Sequence, residues 1–218
     1  MLVQLQSIYK SFGQVHAVSN VSLSLEEKKQ YIIQGPSGSG KSTLLYLLAG
    51  LDRPTSGEII VNERDLSMFN DEQLASYRNE FIGLVFQFHF LLSTLNCMNN
   101  ILLPAKIGGK NTPELKNEVI ELAKELSIIH CLEKFPYELS GGEQQRVNII
   151  RALSMHPKLI LCDEPTGNLD SNNSQNVVSL LKDLSTDYNS TLVVVTHNDK
   201  VADKFDNHFF IEDGILQK

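Results

Sequence analysis

The residues best equipped for chemistry stand together in one nine-residue stretch: Gly35, Pro36, Ser37, Gly38, Ser39, Gly40, Lys41, Ser42 and Thr43. They fit the phosphate-loop pattern G-x-x-x-x-G-K-[ST], which needs a strand before it and a helix after it. The glycines let the backbone turn tightly and bring successive N–H groups against an anion, and the following helix points its positive end at the same place. Lys41 adds a mobile cation for the β and γ phosphates, and the Ser42 hydroxyl is of the type that ligates the Mg²⁺ bridging them. ATP is therefore the expected ligand of this stretch.

Two further stretches carry chemical groups. Asp163 and Glu164 end the apolar run Leu159-Ile-Leu-Cys162. Acids leaving a strand end in a nucleotide-binding α/β protein emerge beside the phosphates. Asp163 is the candidate to hold Mg²⁺, and Glu164 the candidate to orient and deprotonate an attacking water. Leu139-Ser140-Gly141-Gly142-Glu143-Gln144 then opens a helical stretch read as Glu143 to Met155. Its serine and paired glycines make a second helix N-terminus with free N–H groups and a hydroxyl, a second anion site that one phosphate loop does not require.

These groups need a scaffold, and the flanking sequence supplies its pattern. Tyr31-Ile-Ile leads into the loop, and Leu44, Leu45, Leu47 and Leu48 give the next helix, Ser42 to Gly50, a broad apolar face. Lys158 to Asp163 and Thr191 to Thr196 are continuously apolar, as in parallel strands covered on both faces. Between them Val177, Val178, Leu180, Leu181 and Leu184 mark an amphipathic helix, completing a βαβ unit. Residues 2–8, 18–25 and 57–61 alternate with period two and predict a small antiparallel sheet. Between the first two lies Phe12, a core ring or a flat surface for a base.

From Asp71 to about Phe135 the character is helical. Thr112-Pro113-Glu114 is a helix start, followed by Leu115, Val119, Leu122 and Leu126 at helical spacing. The expected class is α/β, with a parallel-sheet phosphate-loop core, an antiparallel β lobe and an inserted helical lobe at roughly residues 88–155, all in one domain spanning residues 1–218.

Charge and composition narrow the function. A formal charge of −7 argues against nucleic acid or anionic lipid as the main partner. Cys97, Cys131 and Cys162 have no C-x-x-C spacing and read as reduced packing residues. The start Met1-Leu-Val-Gln-Leu-Gln lacks the basic opening and apolar run of a signal peptide, and no stretch reaches the ~20 apolar residues of a membrane span. The longest candidate, Phe81 to Leu92, is broken by Gln87 and His89.

The combination of Gly35 to Thr43, Leu139 to Gln144 and Leu159 to Glu164, with Gln87 between the first two and His197 after the next strand, resembles the nucleotide-binding domain of ABC transporters. The resemblance covers essentially the whole chain. It implies that Phe12 stacks on adenine, that Gln87 senses the γ-phosphate and contacts Mg²⁺, and that His197 hydrogen-bonds the γ-phosphate. It also implies a homodimer in which Asn168-Leu169-Asp170 lies across the interface, and Ser140, Gly141, Gly142 and Gln144 complete the ATP site of the other copy. Such a protein is peripheral at the cytoplasmic face of the inner membrane and partners integral transporter subunits.

Within that family, Phe86-Gln87-Phe88-His89-Phe90-Leu91-Leu92 and Asp163 to Asp170 look most like the lipoprotein-release LolD ATPases and the MacB-type exporters. Phe90 stands where His is usual, and Asn148 and Ile150 replace the small residues common after the signature arginine. Phe88, Phe90, Leu91 and Leu92 read mostly as core, with one or two left to line a groove for a membrane partner. Other readings are a soluble ABC-type ATPase acting on nucleic acid or ribosomes, a cell-division FtsE-like ATPase, and a small-molecule kinase. The sequence contains neither the long insertions nor the tandem motifs of the soluble relatives, and a kinase leaves Leu139 to Gln144 without a purpose.

Overall fold

A computed structural model describes residues 1–167 and 171–217, with side chains described outside residues 171–174. Two sheets organise it. The first is antiparallel, β1 (Val3–Phe12), β2 (Val15–Leu25), β4 (Ser56–Val61) and β5 (Arg64–Asp65), in the order β2-β1-β4-β5. The second holds β3 (Gln30–Gln34), β6 (Ile82–Phe86), β7 (Leu159–Asp163), β8 (Thr191–Thr196), β9 (Asn207–Glu212) and β10 (Ile215–Gln217), in the order β10-β9-β3-β8-β7-β6. Its pairings are parallel except for the β9–β10 hairpin.

The apolar strands are buried on both faces, and their period-two geometry sorts the side chains into two cores. Ile32, Ile160, Cys162, Leu192 and Val194 pack with α3 (Cys97–Ile101), α5 (Pro113–Glu125), α6 (Gly141–Leu153) and α7 (Ser171–Asp187). Tyr31, Ile33, Leu159, Leu161, Val193 and Val195 face the other way, onto α1 (Lys41–Leu48) and the antiparallel sheet. The leucines of α1 at 44, 45, 47 and 48 are wholly buried there. At about 25 cal/mol per Å² of apolar surface, each contributes on the order of 2 kcal/mol by leaving water.

Thr112 caps α5 as its sequence predicts, accepting from the Leu115 N–H at 3.3 Å. One expectation fails. The stretch Asp71 to Phe135 is not uniformly helical: after α2 (Asp71–Glu80), Ile82–Phe86 pairs with β7 as the sheet's edge strand. That run is short and continuously apolar, so period alone does not separate a buried strand from a helix. Among the described residues no helix is long and apolar enough to cross a membrane.

Candidate functional site

The loop between β3 and α1 is held from both sides by backbone. A Cβ at Gly35 would lie 1.9 Å from the Ile211 carbonyl oxygen, and one at Gly40, where φ is 98°, would lie 2.1 Å from that of Ala17. Only glycine fits either place. Asp213 and Gly214 form the tight turn between β9 and β10, and the Gly214 N–H donates to the Ser39 carbonyl at 3.0 Å. Gly40 gives α1 no side-chain cap, so the helix's first N–H groups are left to the cleft.

Lys41 is buried and folds back on this loop, donating to the carbonyls of Gly35 at 2.8 Å and Pro36 at 2.7 Å. Burial lowers its pKa, against the opposing pull of Glu164 and Asp163. The Ser42 hydroxyl donates to Asp163 Oδ1 at 2.9 Å, and the Tyr46 hydroxyl donates to Oδ2 at 3.0 Å. Burial raises the Asp163 pKa, the two hydroxyls pull it back down, and the charge of Glu164 adds to the rise. The parallel register places β7, β8 and β3 side by side, which brings the ends of Asp163 and Thr196 to the loop.

Glu164 has a φ of 47°, a left-handed conformation that costs a non-glycine residue about 1–3 kcal/mol. Its carboxylate is fixed by the last residue of β8 and by His197 just beyond it. Oε2 accepts from the Thr196 hydroxyl at 2.9 Å, while Oε1 accepts from the His197 N–H at 3.0 Å and lies 2.6 Å from His197 Nδ1. His197 itself is well exposed. Gln87 follows β6 and packs against the Asp163–Gly167 segment, where a Cβ at Gly167 would meet Gln87 Nε2 at 2.6 Å.

An open cleft of about 520 Å³ gathers Ser37, Gly38, Gly40, Lys41, Ser42, Thr43, Gln87, Glu164 and His197. Gly35, Pro36 and Ser39 shape the loop behind it, and Asp163 lies beneath Ser42. Phe12 does not line the cleft. It is 53% exposed and paired in register with Val15, which does, so its ring is a surface and not core. The Lys10 ammonium sits 4.8 Å from the centre of that ring.

Ser140, Gly141, Gly142 and Gln144 stand apart from the cleft. Ser140 caps α6 in a closed box: the Glu143 N–H reaches its hydroxyl oxygen at 3.4 Å, and Glu143 Oε2 accepts from the Ser140 N–H at 2.8 Å and its hydroxyl at 2.7 Å. The free hydroxyl read from the sequence is thus engaged within the chain. Gln144 turns inward as well, its amide donating to the carbonyls of Pro136 and Leu139 at 3.0 and 3.3 Å. Asn168, Leu169 and Asp170 lie outside the described residues.

Several contacts escaped the sequence reading. Tyr46 and Thr196 hold the two acids from distant elements. Arg151 donates to the carbonyls of His89 at 2.6 Å and Phe90 at 2.9 Å, Asn148 donates to that of Phe86 at 3.3 Å, and buried Gln145 donates to that of Pro165 at 3.0 Å. Through these bonds α6 grips both the segment after β6 and the one after β7. Asp213-Gly214 also went unread, although Asp-Gly is a standard hairpin signal. A correction concerns the aromatic segment: Phe88 and Phe90 are each 64% exposed and Leu92 46%, so only Leu91 packs inward.

A phosphate loop at a strand's carboxyl end, two acids beside it and a separate serine-capped helix define a class. The sequence model described as ABC transporter matches residues 18–167. The chain belongs to the ABC transporter family, in the LolD group of its ATP-binding proteins. It is 41% identical over 209 residues to the lipoprotein-releasing system ATP-binding protein LolD of Cytophaga hutchinsonii, covering 96% of this chain and 95% of that one. The LolD of Shewanella frigidimarina is 40% identical over 220 residues, with 99% and 92% covered. Among solved structures, the dimeric bacterial ABC transporter cassette MJ0796 is similar with a TM-score of 0.90 and 34% identity, covering 100% of this chain and 97% of that one. A dimeric post-hydrolysis state of the same cassette, bound to ADP and Pi, matches with a TM-score of 0.87 and 35% identity over 100% and 97%.

Proposed function

We propose that this chain is the ATP-hydrolysing subunit of a membrane transporter that releases lipoproteins, and that it works as a dimer closing on ATP. The observation that carries the reading is the convergence of Lys41, Ser42, Gln87, Glu164 and His197 on one cleft. The LolD relatives' name supports the cargo, and the dimeric cassette supports the assembly.

In this reading the phosphates lie on the N–H groups of Ser37 to Thr43, and Lys41 leaves the carbonyls of Gly35 and Pro36 to meet them. Ser42, Asp163 and Gln87 offer a hydroxyl, a carboxylate and an amide oxygen, a hard donor set that suits Mg²⁺. Held there, the ion would supply charge neutralisation at the β and γ phosphates. Glu164, anchored by Thr196 and His197, orients the attacking water and takes its proton. His197 hydrogen-bonds the γ-phosphate from the cleft's exposed side, and Phe12 offers its ring to adenine. Ser140, Gly141, Gly142 and Gln144 serve the second copy's nucleotide, since they stand apart from their own chain's cleft.

The chain binds integral membrane subunits at the cytoplasmic face of the inner membrane. A groove of about 420 Å³, lined by Ile82, Leu84, Phe86, Leu103, Ile107 and Arg151, is extended by exposed Phe90, whose ring meets that of Phe86 edge-on at 5.2 Å, and it suits an apolar segment of those subunits. The test is reconstitution with the cognate membrane subunits in liposomes carrying a lipoprotein. ATP should drive both phosphate production and lipoprotein release, and Lys41→Ala should abolish both. Release that proceeds equally well without ATP, or with Lys41→Ala, overturns the reading.

A further inference from the structure

Between α5 and α6 the chain makes two 3₁₀ turns, Ile129–Cys131 and Pro136–Glu138, and the first sets His130 and Cys131 against Glu143 in the first turn of α6. His130 Nε2 lies 2.8 Å from Glu143 Oε1, Cys131 Sγ lies 3.4 Å from the same oxygen, and Cys131 Sγ lies 3.4 Å from His130 Nε2. Among the described residues these three form a group whose candidate ligand atoms all fall within 4.8 Å of one another. None of them lines the nucleotide cleft.

We propose that His130, Cys131 and Glu143 form a Zn²⁺ site that ties the 129–131 turn to the start of the Ser140 helix. The donor set is an imidazole nitrogen, a sulfur and a carboxylate oxygen, the combination Zn²⁺ prefers and one that Mg²⁺ and Ca²⁺ do not select. Zinc bonds of about 2.0–2.3 Å in a tetrahedron separate neighbouring ligand atoms by about 3.3–3.7 Å. Two of the three separations already meet that figure, and the third needs to open by less than about 1 Å.

The division of labour on Glu143 supports the site. Oε2 serves Ser140, so Oε1 is the oxygen that a metal takes, and the cap survives binding. Access runs past His130, whose side chain is 54% exposed, to Cys131 at the buried floor; the Glu143 side chain is 20% exposed. As the Zn–S bond forms, the Cys131 thiol proton passes to solvent. Water takes the fourth position, as in sites with three protein ligands. A buried cysteine and a surface His–Glu pair are each ordinary alone, but the core position of Cys131 does not explain why its sulfur, the ring and the carboxylate point at one spot.

The test uses the full chain without nucleotide, so its outcome is independent of the ATPase reading. Zn²⁺ alone is titrated against a chromophoric chelator, and Co²⁺ serves as a spectroscopic probe. We expect one equivalent bound, a thiolate-to-Co²⁺ charge-transfer band and a rise in Tm with Zn²⁺. His130→Ala and Cys131→Ser should each weaken binding by more than about tenfold, at least what loss of an outer-shell partner costs. His156→Ala, at a histidine paired elsewhere with Glu118, should leave it unchanged. Because His130 is exposed, its variant keeps the test decisive should Cys131→Ser fail to fold. Absence of binding, absence of the charge-transfer band, or binding unaffected by His130→Ala overturns the site.

Discussion

Glu164 occupies a backbone conformation that side chains avoid, and its two oxygens are held by Thr196 and His197. Strain of that kind persists only where surrounding contacts impose it, and here they aim a carboxylate into the cleft. Glu164→Gln preserves shape while removing the proposed proton acceptor. It should keep ATP affinity near the parent's while hydrolysis falls by about 10²–10⁴-fold, the span of a lost general base. Phosphate release and equilibrium nucleotide binding measure the two effects separately, and equal losses in both would reassign Glu164 to binding. The acids and Lys41 were legible in the sequence because the phosphate-loop pattern names its own lysine and a strand names its end. Tyr46 was not, because its partner Asp163 lies 117 positions away and only the folded register brings them together.

At the scale of elements, α1 and α6 share an N-terminal role in the pattern but differ in structure. Gly40 leaves α1 uncapped, whereas Ser140 and Glu143 close a reciprocal box on α6. The Ser140 hydroxyl, its N–H and His130 together hold the Glu143 carboxyl down to about 2, from an ordinary 4.5. Because the folded state depresses this pKa, the ionised box stabilises the fold above about pH 4.5 and loses that contribution as pH falls toward 2. Urea unfolding of the parent and Glu143→Gln should therefore diverge most near neutral pH and converge in acid. A pH-independent gap would contradict this. The βαβ unit and the cap at Thr112 could be read from spacing alone. The strand Ile82–Phe86 could not, because an apolar run without period carries no sign of helix or sheet. Exposure of Phe88 and Phe90 was hidden for a related reason: hydrophobicity marks a residue as fit for burial without saying whether its own chain or another provides the cover.

For the whole molecule, the account rests on where the Ser140 helix lies relative to the cleft. One chain's cleft gathers the groups proposed to hold phosphate, metal and water, yet Ser140 to Gln144 do not line it. A second copy brings them in if two chains meet head to tail, so that ATP adds contacts to both and favours the dimer by mass action. The chain's charge of −7 opposes self-association, and bound nucleotide must supply enough contact to overcome it. Blocking hydrolysis by Glu164→Gln should trap that state. The decisive measurement is the mass in solution of this variant, by gel filtration with light scattering, with and without Mg-ATP. The account predicts the mass of two chains with nucleotide and of one chain without it; a single-chain mass while ATP is demonstrably bound would contradict it.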